Sequence, residues 1–254
     1  MSSLLLGGFV FICLIGAALA GGWLRDKLPT HHLSSDSKDA IRLSTAIIGT
    51  LAALALGLLI ASAKGAYDDA RSELRTSAGR IVLLDRVMAH YGPETAAARK
   101  QMRSLLEVRL RQSWTVRDVS SDPIDIIGDD RDVESIQDAL RALVPANDGQ
   151  RWLQNRALTV SGEIAEAHWM LVESETEGLP GAFVIVLVFW LALLFVSFGL
   201  LAPGNTTVMT TLFMCALSVA GAVFVIVDMD QPYLGLIYIS DAPLREALSL
   251  LGQG

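Results

Sequence analysis

Residues 43–63 read LSTAIIGTLAALALGLLIASA, 21 residues without a charge, bounded by Arg42 and Lys64. A helix rises 1.5 Å per residue, so about 20 apolar residues cross the hydrocarbon of a bilayer. The stretch therefore predicts a membrane span. Gly49, Ala53, Gly57, Ala61 and Gly65 fall at every fourth position along it. Residues four apart are neighbours on a helix, and small ones let a second backbone come close. We read these five as a packing or pore-lining stripe. Beyond Lys64 no helix breaker occurs before Gly92 and Pro93. Tyr67, Leu74, Ile81 and Met88 repeat every seven residues, with Ala70, Leu84 and Tyr91 between them. The expectation is one helix that leaves the membrane and continues to about Tyr91 as an amphipathic, bundle-forming rod.

The rest of the chain agrees with a membrane protein. It is 52% hydrophobic and 19% charged over 254 residues, with mean hydropathy +0.45, a composition outside the usual soluble range. Residues 1–24 carry no charge, and neither do residues 178–227, where Pro203, Gly204, Asn205 and Thr206 interrupt an apolar run long enough for two spans. Four spans follow, near 3–24, 43–63, 181–202 and 207–227. The first is read as a retained span, because no positive charge precedes its apolar run as a signal peptide would require. Cys13 and Cys215 both fall inside spans and so form no disulfide framework.

The expected layout is all-α. Residues 1–63 hold spans one and two, 64–177 a soluble helical bundle, 178–227 spans three and four, and 228–254 an interfacial tail with a short terminal helix. Within 64–177, Pro93 opens a helix to about Trp114, with Met102, Leu105 and Leu106 on its apolar side. Val133, Ile136, Leu140 and Leu143 mark a shorter one. Asn147 or Asp148 caps a third, which carries Leu153, Ala157, Val160, Ile164 and Leu171. An even number of spans puts both ends and the bundle on one side of the cell (inner) membrane. The expected side is cytoplasmic, although the Lys and Arg flanking the spans divide evenly and do not choose it.

Metal sites find little support. His31 and His32 adjoin Asp36 and Asp39 on a polar loop, without helical or Cys-type ligand spacing, and are read as solvated. Asp129, Asp130 and Asp132 lack the alternating oxygen ligands of an EF-hand and suit the start of a helix instead. No metal and no cofactor is expected.

Charge is unevenly distributed. Nineteen of the 20 Lys and Arg residues lie between Arg25 and Arg156, and the last is Arg245. Residues 157–244 contain no Lys or Arg but eight acids. Glu173, Glu175, Glu177, Asp228 and Asp230 cluster where the third span begins and the fourth ends, on one side of the membrane. One reading is a solvated face. The other is an acidic vestibule that concentrates cations at a pore mouth.

After the fourth span the chain continues through Asp228, Asp230, Pro232, Tyr233, Gly235, Ser240, Pro243, Leu244 and Arg245. Ser240 and Pro243 suit the cap and first turn of a terminal helix. Arg245, the one base in an acidic region, is expected to pair with Asp228, Asp230 or a nearby glutamate, or else to lie exposed. This ordered pattern, an acid-rich span end, then Pro-aromatic-x-Gly, then Ser, then Pro-Leu-Arg, resembles that of the bestrophin-like domain family. The family's layout of two spans, helical insert, two spans and tail covers nearly the whole chain. The resemblance implies a plan like that of bestrophins, oligomeric channels whose second span lines the pore and whose soluble helices extend the conduit. No run of consecutive acids like the bestrophin calcium clasp and no aromatic neck occurs here, so selectivity and calcium gating do not carry over.

Function is thus narrowed to two readings. The favoured one is a homo-oligomeric ion channel or channel-like pore, leaning toward cations, with the lipid bilayer, further copies of itself and inorganic ions as its partners. The alternative is a membrane-anchored helical sensor or scaffold. Nucleic acid is not expected as a partner. An enzyme is disfavoured: the spans hold no ionisable residue besides the cysteines, and no phosphate loop or HExxH motif occurs.

Overall fold

Hydrocarbon offers no partner for a backbone amide, so an apolar run that crosses it must satisfy its hydrogen bonds within itself. The computed structural model describes residues 3–29, 34–115, 130–174, 181–230, 232 and 235–253, with side chains left aside at 112–115, 130–132 and 168–174. All the regular structure among these residues is helical. Four helices are long and apolar enough to cross a membrane: α1 (Ser3–Lys27), α2 (Ser35–Tyr91), α6 (Gly181–Leu201) and α7 (Thr206–Met229). Between them lie α3 (Ala96–Thr115), α4 (Asp130–Arg141) and α5 (Asp148–Ser174), and α8 (Ala242–Leu250) closes the chain. The chain divides into two compact units, Met1–Tyr67 with Leu179–Ile237, and Asp68–Gly178 with Tyr238–Gly254.

The 57-residue α2 runs unbroken past Lys64, as the lack of proline predicts. It starts eight residues before the apolar run, because the Ser34 hydroxyl accepts from the Ser37 amide at 3.3 Å and caps the extra turns. It ends at Gly92, whose φ of 138° lies in the left-handed region that favours glycine. Thr95 is buried there, its hydroxyl 2.5 Å from the Met88 carbonyl oxygen and 2.9 Å from that of Gly92. It thereby serves carbonyls at the end of α2 that have no partner in the helix.

In the first unit α1 is the central element and packs on both α6 and α7. Its buried residues are Ser3, Gly7, Val10, Leu14, Ala18 and Gly21, a spacing of three and four that forms one narrow seam. The backbones of α1 and α6 nearly touch. A Cβ at Gly21 would strike the Val196 carbonyl oxygen, and one at Gly199 would strike that of Ala18. These two glycines, with Gly7 against Phe224 at 3.0 Å, are where the packing of α1 requires a missing side chain. At one end of α1, Ser3 bonds Asp228 of α7; at the other, Arg25 Nη1 donates to the Ala202 carbonyl at 2.5 Å. α1 therefore runs parallel to α6 and antiparallel to α7. Leu4, Phe9, Ile12, Phe183, Ile185, Phe189, Phe213 and Leu217 are exposed, as lipid-facing side chains must be.

In the second unit the seven-residue repeat of α2 is core. Leu74, Ile81, Leu84, Met88 and Tyr91 are buried, together with Met102, Leu106, Ile136, Leu140, Ala157, Val160 and Ile164 from α3, α4 and α5. Gln150 donates to the Tyr91 carbonyl at 3.0 Å, while its own amide bonds the Asn147 side chain at 2.8 Å. Asn147 is thus the cap of α5, one of the two residues expected there. A cavity of about 40 Å³ remains among Ile81, Met102, Leu106, Ile136 and Ile164.

Candidate functional site: the open face of α2 and the tail

An α-helix turns 100° per residue, so every fourth residue is displaced by about 40° and the row is oblique to the axis. Across Gly49, Ala53, Gly57, Ala61 and Gly65 the drift reaches roughly 160°. The structure shows the result. Gly49 is half-buried, with Leu194 of α6 placed 3.8 Å from where its Cβ would be. Ala53, Gly57, Ala61 and Gly65 are exposed, and none of the described residues lies within 4 Å of a Cβ built on Gly57 or Gly65. The face that α2 buries in its own unit is a different one, Ala52, Leu59 and Ala63. On the other flank Leu51, Leu58 and Ser62 are exposed and Ala55 is half-buried. Only 17% of the most apolar part of α2 is buried, against 28% for α1 and α6. Of the four apolar segments it is the one least buried by its own chain.

The acids divide. Asp228 has no solvent exposure. One of its oxygens, Oδ1, accepts from the Ser3 hydroxyl at 2.5 Å and the Leu236 amide at 3.0 Å; Oδ2 accepts from the Ile237 amide at 2.7 Å. Its carboxylate is therefore taken up by the chain and offers nothing to a passing ion. Asp230 ends α7 half-buried. Glu173 falls in α5, and its side chain lies outside the described residues, as do Glu175 and Glu177.

In the tail, Gly235 packs on Asp228: a Cβ there would sit 2.8 Å from the carboxylate carbon and from Oδ1. Pro232 is half-buried, and Tyr233 lies outside the described residues. Ser240 accepts from the Ala242 amide at 3.2 Å, with Asp241 at the cap position and Pro243 in the first turn of α8. Arg245 pairs locally and lies exposed. Its Nε pairs with Asp241 at 2.5 Å, one helical turn back, and its side chain is 62% exposed. The local partner wins because the helix already holds residues four apart close together, at little further cost in chain entropy.

A second buried carboxylate escaped sequence reading. Asp85, 1% exposed, receives Arg99 through two bonds of 2.8 and 3.0 Å and the Gly252 amide at 3.4 Å. The hydrogen bond to Asp85 raises the Arg99 pKa above its ordinary value. Arg103 Nη1 bonds the Leu251 carbonyl at 2.8 Å, and Leu244, Ala247 and Leu251 are buried, so the end of the chain is fixed to α3. The signal was present. Asp85 stands four residues after Ile81 and three before Met88, on the apolar face, where an acid requires a partner. Ser3 carried no such signal.

Elsewhere Arg80 bridges Glu73 at 3.5 Å and Glu163 at 3.4 Å. Among the described residues no group of three or more His, Cys, Asp or Glu is placed to hold a metal. His31 and His32 lie outside them, as does Asp129, and the side chains of Asp130 and Asp132 are not described.

Comparison with curated proteins gives no match, and neither does comparison with solved structures. The Bestrophin-like domain does match, over residues 12–244. That range takes in the greater part of α1, all of α2 through α7, the Asp228–Gly235 contact and the opening of α8, nearly the whole chain, which belongs to the bestrophin-like domain family.

Proposed function

We propose that the protein is a homo-oligomeric, channel-like membrane pore in which α2 is the helix shared between subunits. Family membership supports a channel-like membrane plan. The observation that carries the proposal is the open row on α2. Inside the chain, Gly21 and Gly199 already supply the close approach of α1 to α6, whereas Gly57 and Gly65 meet nothing among the described residues. Lipid tails gain little from a smooth helix, but a second backbone gains close van der Waals contact along it. A partner following an oblique row of this kind crosses at about −40°. The flank of Leu51, Ala55, Leu58 and Ser62 then falls beside that contact as an apolar lining of the sort that gates by excluding water.

The cation preference rests on charge. Residues 157–244 carry eight acids and no Lys or Arg, and carboxylates at a pore mouth favour cations. With Asp228 buried, the vestibule reduces to Glu173, Glu175, Glu177 and Asp230. The test is reconstitution into liposomes under opposing salt gradients, reading reversal potentials for wild type and for those four acids changed to amides. The expected result is a cation-selective potential that moves toward zero on neutralisation. Absence of current in every condition would overturn the pore. An anion-selective potential unmoved by the changes would overturn the vestibule.

A further inference from the structure

We propose that Asp228 is a latch coupling the first turn of α1 to the tail, so that neither leaves the end of α7 without loosening the other. The coupling is in the geometry. Ser3 Oγ and the Leu236 amide donate to the same oxygen, and the Ile237 amide holds its neighbour. The site excludes water: Asp228 is 0% and Ser3 8% exposed. A hydrogen bond to a carboxylate is worth more in such a low-dielectric setting than in water. If the tail departs, water reaches Asp228 and the Ser3 bond loses that advantage. If Ser3 departs, the two tail amides face a carboxylate already partly solvated. Gly235 completes the device, because the carboxylate occupies the space that any side chain there would need. The latch stands apart from the question of conduction, since it uses neither the open face of α2 nor the remaining acids.

Hydrogen exchange of the full-length protein in detergent micelles tests it, with peptides covering 3–10, 181–201 and 230–238. Ser3→Ala, which leaves every tail residue unchanged, is expected to speed exchange of the Leu236 and Ile237 amides roughly tenfold, the scale of a lost hydrogen bond to a charged group. Ser3→Thr, which keeps the hydroxyl, is expected to restore their protection. In the reverse direction, Gly235→Ala is expected to speed exchange at Gly7 and Gly8, whose helical acceptors are the carbonyls of Ser3 and Leu4. Unchanged exchange of Leu236 and Ile237 in Ser3→Ala would overturn the latch. An equal acceleration across α6 would also overturn it, by showing a general loss of stability instead of a local coupling.

Discussion

Gly235 lies against the carboxylate of Asp228, seven residues earlier in the chain, and leaves no room for a Cβ, which would sit 2.8 Å from the carboxylate carbon, from Oδ1 and from the Asp228 backbone oxygen. Contacts below 3.0 Å force something to move, and here the atoms in the way include backbone. Gly235→Ala should therefore destabilise the protein by about 1–3 kcal/mol, the usual penalty of overpacking. Unfolding in mixed micelles, followed by circular dichroism, measures it. A wild-type midpoint would show that the tail sits elsewhere.

The two kinds of glycine in the membrane helices should respond oppositely to substitution. Gly21→Leu puts a side chain into the Val196 backbone and should impair folding of the single chain. Gly57→Leu meets empty space among the described residues, so helicity and thermal stability should survive while the mass in mild detergent falls to that of one chain. Light scattering on the purified protein reads the mass. A clean monomer already in wild type would remove both the oligomer and the pore.

The Asp85–Arg99 pair should be costly to break singly. A buried ion pair that loses one partner leaves an uncompensated charge, at about 3–5 kcal/mol. Asp85→Leu and Arg99→Leu should each approach that figure, and the double variant should cost less than their sum. A double-mutant cycle on unfolding free energies checks this. Additive losses would mean that the two side chains act independently.

Arg245→Ala, by contrast, should change stability by less than about 0.5 kcal/mol. Its pairing with Asp241 is an i,i+4 contact with an exposed arginine, a class worth a few tenths of a kcal/mol. The same unfolding measurement serves. A loss above about 1 kcal/mol would point to a buried partner for Arg245.

What the sequence determined by itself follows from rules that act locally. Hydrocarbon forces a backbone to bond within its own helix, so the uncharged runs at 3–24, 43–63, 181–202 and 207–227 became α1, the first part of α2, α6 and α7. The lack of a breaker before Gly92 made α2 a single rod, and its seven-residue repeat named the buried Leu74, Ile81 and Met88 in advance. The tail pattern and the order of the spans together pointed to the family to which the chain belongs. What only the tertiary structure decided is which groups meet across long separations. Asp228 reads as a free acid beside other acids until Ser3, 225 residues away, and the tail amides close over it. Every fourth small residue reads as a straight stripe, until the packing of α6 shows which end of an oblique row the chain uses and which it leaves open. Spacing along a helix fixes neighbours within a turn or two; a carboxylate's burial depends on what folds back onto it, and no local rule carries that information.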